Sequence, residues 1–292
     1  MSKNNADFQR KKRNSFVWII AGAVILSALL GAFFYIKASK PDKVVFGEIL
    51  KVHYEPAEAG EERILKYINE HIAPDYGIKI EGAGIQDSSL GNSAVASGEL
   101  AASIYQHELW LREVIAANGF ELTAVFPIFQ WGFGIYSDRY KSIDELPQNA
   151  LVAIPVDGGN QAQALWLLER EGLLELNGER QNAKIKDIVS NPRNLKFKEF
   201  DFLALPRVLD SVDIAVGYVS NFDAGKIPRS KGLLFPKAPR IFASQLVIGT
   251  KFLDDPQIKK LIRAFSDPRL KQYLETTNDP LVHGIYTPVS DN

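Results

Sequence analysis

The sequence predicts an α/β fold behind an N-terminal membrane-spanning helix, and three observations carry that expectation. Along residues 43–292, strand-like apolar runs alternate with helical segments of roughly 8–15 residues, an order that builds layered α/β folds rather than sandwiches. "ALVAIP", 150–155, is apolar throughout, as a strand covered on both faces of a sheet requires. "FVWIIAGAVILSALLGAFFYI", 16–36, carries no charge. As a helix it spans about 31 Å, the thickness of a bilayer's hydrocarbon core.

The flanks of that span orient it. Arg10, Lys11, Lys12 and Arg13 sit just ahead of it within a basic segment, 1–15, while Lys37, Lys40 and Lys43 are spread beyond it. The bias favours a cytoplasmic N-terminus and an extracytoplasmic remainder on a single-pass cell-membrane anchor. A cleaved signal peptide is the alternative, but its apolar core is usually shorter, and no clear small-x-small site follows. The 292-residue chain has no cysteine, which fits an exported protein without disulfides and excludes a thiol nucleophile, thiolate metal sites and a cysteine-linked lipid anchor. A net charge of −1 gives no footprint for nucleic acid.

The exported elements follow in order. "KVVFG", 43–47, reads as the first strand. In "EAGEERILKYINEHIAPDYG", Ile64, Leu65, Ile68 and Ile72 recur at helical spacing until Pro74. "IKIEGAG" is a second strand, and short helical pieces surround Gly98, with a strand in "AASIY" that places His107 at or just past its end. "LTAVFPIFQWGFGIYS" reads as a buried strand pair or a crossing between lobes. Ser142 with Glu145 forms a capping-box pattern, and Pro147 limits that helix to about one turn. After "ALVAIP", the turn "VDGGN" opens a helix, "QAQALWLLEREG", with Gly172 at its C-cap. "LKFKEF", a helix near "LPRVLDS" and the strand "DIAVGYVS" come next. "SQLVIGT" then precedes two helices, with Asp255–Pro256 and Asp267–Pro268 as cap-and-first-turn pairs; Asp267 could equally end the preceding helix.

Three stretches could carry chemistry. In "SIYQHELWLREV", Tyr105, His107 and Trp110 read either as a pocket wall or as a half-buried histidine bonded to backbone. Catalysis finds no support: there is no G-x-S-x-G elbow, no H-E-x-x-H and no pair of histidines at i,i+4, so no metal or other cofactor is expected. "PVDGGNQAQAL" is a strand–turn–helix junction whose converging N–H groups suit an anion such as a carboxylate, although a plain tight turn reads as well. There Asn160 is either a ligand contact or the helix cap, and Gln163 offers only uncharged hydrogen bonds. "EGAGIQDSSLGNS" is a post-strand loop from which Asp87, Ser88 and Asn92 could reach a polar ligand. Arg207, Arg229 and Arg240 lie near strand ends or hinges, where a ligand carboxylate or a surface ion pair would suit each.

"GELAASIYQHELWL", "SDRYKSIDELPQNALVAIPVDGGNQAQALWLLEREGLLEL", "DIVSNPRNLKFKEF" and "LALPRVLDSVDIAV", in that order, resemble the methionine-binding lipoprotein family, the extracytoplasmic substrate-binding subunits of methionine-type ABC importers. The resemblance covers about 44–275 and implies a two-lobed periplasmic-binding-protein fold that closes on an amino acid. It implies lobe 1 from 44–135 plus 240–292 and lobe 2 from 136–239. Tyr105, Gln106 and His107 match the family's aromatic-glutamine-histidine string. Trp110 stands where a tyrosine is usual, and two rings expected near Ile85 and Ser88 are missing. The arginine that clamps the ligand carboxylate aligns with Gln163, and two pocket asparagines align with Tyr218 and Gln245. Removing a guanidinium from a buried carboxylate costs on the order of 3–5 kcal/mol; Arg240 or Arg207 could compensate, or the pocket holds a different amino acid, a peptide or another small metabolite, or is degenerate. The lipid-bearing cysteine is also missing, which fits tethering by the membrane helix.

The resemblance therefore implies a membrane-tethered solute-binding protein that delivers methionine or another small amino-acid-like ligand to an ABC permease and ATPase complex. A non-transport sensor or assembly module, with its pocket redirected or degenerate, is the alternative reading. An exported hydrolase lacks a matched nucleophile.

Overall fold

The computed structural model describes residues 45–289, so the basic segment 1–15 and the charge-free span 16–36 lie outside the described residues. No helix among the described residues is long and apolar enough to cross a membrane. In chain order the strands are β1 (Ile49–Tyr54), β2 (Lys79–Gly84), β3 (Ala102–Ser103), β4 (Leu122–Trp131), β5 (Phe133–Tyr136) and β6 (Leu151–Pro155). There follow β7 (Glu175–Leu176), β8 (Ile188–Ser190), β9 (Lys196–Phe200), β10 (Ile214–Tyr218), β11 (Gly232–Leu234), β12 (Ser244–Gly249) and β13 (Tyr286–Thr287). The helices are α1 (Ala59–His71), α2 (Ser88–Ser97), α3 (Glu108–Asn118), α4 (Gly158–Arg170), α5 (Leu205–Val208), α6 (Val219–Ala224), α7 (Pro256–Phe265) and α8 (Pro268–Thr276).

Two sheets make two α/β lobes. The first runs β13-β4-β12-β3-β1-β2 and the second β11-β5-β10-β6-β9. In the first, β1 pairs in parallel with β2 and β3; in the second, β6 pairs in parallel with β9 and β10. The remaining strands of each sheet add antiparallel. β5, which straddles the 135/136 limit implied by the resemblance, pairs within the second sheet.

Burial explains the elements. Leu50 and Val52 point from β1 into a core shared with Ile64 and Ile68 of α1, all four fully buried. Each such side chain contributes about 1.5–3 kcal/mol by leaving water. Val152, Ala153 and Ile154 of β6 are likewise fully buried, as a central strand covered on both faces must be.

The chain crosses between sheets at Gly132, the hinge of the expected strand pair. Its N–H donates to the Ile285 carbonyl at 2.5 Å and its carbonyl accepts from Val219 N–H at 2.9 Å. A Cβ there would lie 2.9 Å from Val219 Cγ2, so a side chain would push this junction apart.

Two local expectations need correction. Residues 45–47 of "KVVFG" are not a strand, and Val45 is largely exposed; pairing starts at Ile49, where "ILKVHY" puts Leu50 and Val52 on one face. Ser142 makes no capping bond. The turn 143–145 is 3₁₀, and Glu145 Oε2 instead accepts from Lys141 N–H at 2.8 Å.

Candidate functional site

The parallel strands of both lobes end at a common crevice, the place where open α/β sheets bind ligands. A cavity of about 440 Å³ lies there, within the span of roughly 300–1,000 Å³ typical of small-molecule sites. Glu55, Ala57 and Glu58 reach it from beyond β1, Gln86 and Ser88 from beyond β2, and Tyr105, Gln106, His107 and Trp110 from beyond β3. Trp131 adds the end of β4. The second lobe supplies Val156, Asp157 and Asn160 after β6, Asp201, Phe202 and Leu203 after β9, and Tyr218 at the end of β10.

His107 is the N-cap of α3. Its Nδ1 accepts the Trp110 N–H at 3.2 Å, which leaves the proton on Nε2, 3.3 Å from Asn160 Oδ1 in the other lobe. Burial lowers its pKa to about 4, against the raising effect of the Asn160 bond. A neutral imidazole with both nitrogens engaged is a positioning group, not a general base. Tyr218 O–H donates to the same Asn160 oxygen at 2.6 Å, so that carbonyl takes one donor from each lobe. Gly159 makes the approach possible: a Cβ there would sit 2.6 Å from His107 Cε1.

The rest of the wall is tied down with equal care. Tyr105 stacks, tilted, on His53 at 4.6 Å, and its hydroxyl accepts from Asn92 Nδ2 at 2.5 Å. Asn92 and Gln106 exchange amide hydrogen bonds at 2.7 and 3.2 Å. Burial pushes the Tyr105 hydroxyl pKa up, so it stays protonated.

Two buried carboxyls stand here, Glu58 on the wall and Glu61 behind it. Glu58 Oε1 accepts from Ser220 Oγ–H at 2.7 Å, across the lobes, and Oε2 from Tyr286 O–H at 2.8 Å. Burial raises Glu58 to about 7; those two hydrogen bonds pull it back and Glu55 adds to the rise. Glu61, fully buried, accepts from Glu55 N–H at 3.0 Å and Trp131 Nε1–H at 3.3 Å. Burial and then Glu58 hold it well above the carboxylate range.

The structure brings Ser88, Tyr105, His107, Trp110, Asn160 and Tyr218 together on the cavity wall. Three expected residues lie elsewhere. Gln163 is buried behind Tyr218, its Oε1 3.2 Å from that hydroxyl. Gln245 is buried in β12, where its Nε2–H donates to the Ala243 carbonyl at 3.1 Å. Arg240 is exposed on a 3₁₀ turn, 240–242, and neither it nor Arg207 lines the cavity, so neither supplies the sought carboxylate clamp. Asn160 is not the cap of α4; Asp157 is, with Oδ1 accepting the Asn160 N–H at 3.1 Å. Asp87 caps α2 through Ser89 and Leu90 N–H, and Asn92 is buried behind Tyr105.

Sequence reasoning missed Glu58, Glu61, Trp131, Asp201 and Phe202. Glu61 had a signal: with Ile64, Leu65 and Ile68 it occupies i, i+3, i+4 and i+7, one stripe of α1. An acid on an apolar stripe marks a buried charge that needs a partner.

The comparisons agree with this geometry. Residues 56–284 match the NlpA lipoprotein family. The chain is 30% identical over 211 residues to the D-methionine-binding lipoprotein MetQ of Escherichia coli strain K12, an alignment spanning 70% of this chain and 78% of that protein. A nutrient-binding protein from Burkholderia cenocepacia bound to methionine aligns with a TM-score of 0.68 at 26% identity, over 85% of this chain and 100% of the other. A YaeC-family lipoprotein from Enterococcus faecalis V583 gives 0.72 at 26% identity, over 84% and 100%. These likenesses take in both lobes, and the chain belongs to the NlpA lipoprotein family.

Proposed function

We propose that this protein is an extracytoplasmic solute-binding subunit of an ABC importer that captures a small amino-acid-like solute between its lobes. The observation that carries the reading is the cavity built by strand ends of both lobes, with His107 and Asn160 of its lining bonded across the lobes. Its relatives' names add methionine as the reference solute. On this reading residues 16–36 tether the domain to the membrane, lobe 1 comprises 44–135 plus 240–292 and lobe 2 comprises 136–239. A permease and ATPase complex receives the solute.

Calorimetric titration of the full-length protein in detergent with a panel of amino acids and amino-acid derivatives tests the reading. One saturable site per chain is expected for at least one member. Tyr105→Ala or Trp110→Ala should weaken it by about 1–3 kcal/mol, the cost of losing a buried aromatic contact. Affinity unchanged in both variants would remove the cavity from the function.

A further inference from the structure

The cavity's charge is one-sided. Glu55 and Glu58 line it from the first lobe and Asp157 and Asp201 from the second, and among the described residues no lysine or arginine lines it. Five aromatic rings, of Tyr105, Trp110, Trp131, Phe202 and Tyr218, make up much of the rest. Glu61 adds a further buried carboxyl just behind Glu58. Lys184 lies with Glu113 against Gly158 and acts on Asp157 without lining the cavity. Apposing two acidic lobe faces raises the energy unless the acids hold protons, as burial makes Glu58 and Glu61 do, or positive charge enters between them. A ligand carboxylate would add a fifth acid to the four of the lining, with no guanidinium among the described lining residues to receive it. Aromatic faces suit a cation that is organic, since their negative π surface attracts ammonium groups. A bare metal ion fits poorly: among the described residues no group of three or more His, Cys, Asp or Glu is placed to hold one.

We infer that the solute is a small organic cation that carries an ammonium group, an apolar body and no carboxylate. This rests on the solute-binding reading above but replaces its amino-acid-like solute with an amine. The ammonium lies between the Glu pair of one lobe and the Asp pair of the other, with the apolar body on the Trp110 and Tyr218 rings. Glu58 gives the binding a pH dependence. The groups facing it are Glu55, Glu61, Ser220 and Tyr286, none of them cationic. A bound cation draws it into the ionised form, so affinity rises as pH rises through about 7.

The test is calorimetry on the full-length protein with four probes. 3-(Methylthio)propylamine and choline carry a cation without carboxylate, methionine carries both charges, and N-acetylmethionine carries the carboxylate alone. The amine should bind about tenfold or more tighter than methionine, and N-acetylmethionine should show no saturable binding. The amine's affinity should strengthen between about pH 6 and about pH 8. Glu58→Gln should weaken it about tenfold and flatten that dependence. Asp201→Asn, at an exposed position whose cap an asparagine preserves, should weaken it by a smaller factor and covers the case of a Glu58→Gln chain that does not fold. Choline binding as tightly as the amine would assign the rings the larger share; amine alone would assign it to the carboxylates. Methionine or N-acetylmethionine matching the amine, with Tyr105→Ala still weakening them, would overturn the cation and leave the solute-binding reading intact. No saturable binding of either cation would overturn it whatever methionine does.

Discussion

Because His107 Nδ1 accepts the Trp110 N–H, Nε2 keeps the proton and can reach Asn160 across the lobes. A second proton would break the Trp110 bond, so burial and geometry both hold the ring neutral, with a pKa near 4. The unfolded chain, near 6.5, binds more protons between those values. The resulting stability is complete above about pH 6.5 and is lost as pH falls toward 4, on the order of 3 kcal/mol in all. Nitrogen NMR should find the neutral Nε2–H tautomer of His107 down to about pH 5. A doubly protonated ring at about pH 6 would contradict it. The role of this residue was legible only in part. "SIYQHELW" gave an aromatic–histidine wall, but Asn160, its partner, is 53 residues further along the chain. Gly159, which admits the contact, reads in sequence as an ordinary turn glycine. Long-range pairing of this kind leaves no local pattern.

Helix starts were the most legible elements, because an N-cap is a local contact between neighbours in sequence. Asp255 and Asp267 cap α7 and α8 as their Asp–Pro pairs require. Asp267 settles as the start of α8: Oδ1 accepts from Arg269 N–H at 3.0 Å, while Oδ2 accepts from Arg269 Nη2 at 2.7 Å and Tyr76 O–H at 3.0 Å. The Arg269 guanidinium holds its carboxyl well below the usual range. Its contribution is therefore present above the unfolded value near 4 and fades as pH drops below it. Asp267→Ala should lower stability by about 0.5–2 kcal/mol near neutral pH, read by urea denaturation, with a smaller cost near pH 3. A cost independent of pH would contradict the charged cap. Strand starts were less legible: "KVVFG" has better β composition than "ILKVHY", yet its described residues, 45–47, form no strand while "ILKVHY" pairs with β2 and β3. Composition cannot report which strand finds a partner.

At the scale of the molecule, the alternation of strands and helices was enough to indicate α/β, whereas two lobes required the resemblance. No short-range pattern announces that β4 and β5, one residue apart, enter different sheets. The charge of the cavity was illegible for the same reason. Its carboxyls come from 55, 58, 157 and 201, each sited in an ordinary polar turn or helix start, and only the convergence of strand ends collects them. What the two lobes share is the crevice, and holding one solute there is the claim on which the rest depends. Mass spectrometry of small molecules released by denaturing the gently purified full-length protein tests that claim most directly. The expected result is one small organic molecule per chain, lost when Tyr105 and Trp110 are both replaced by alanine. The same molecule retained in full by that double variant would place the ligand outside the crevice and contradict it.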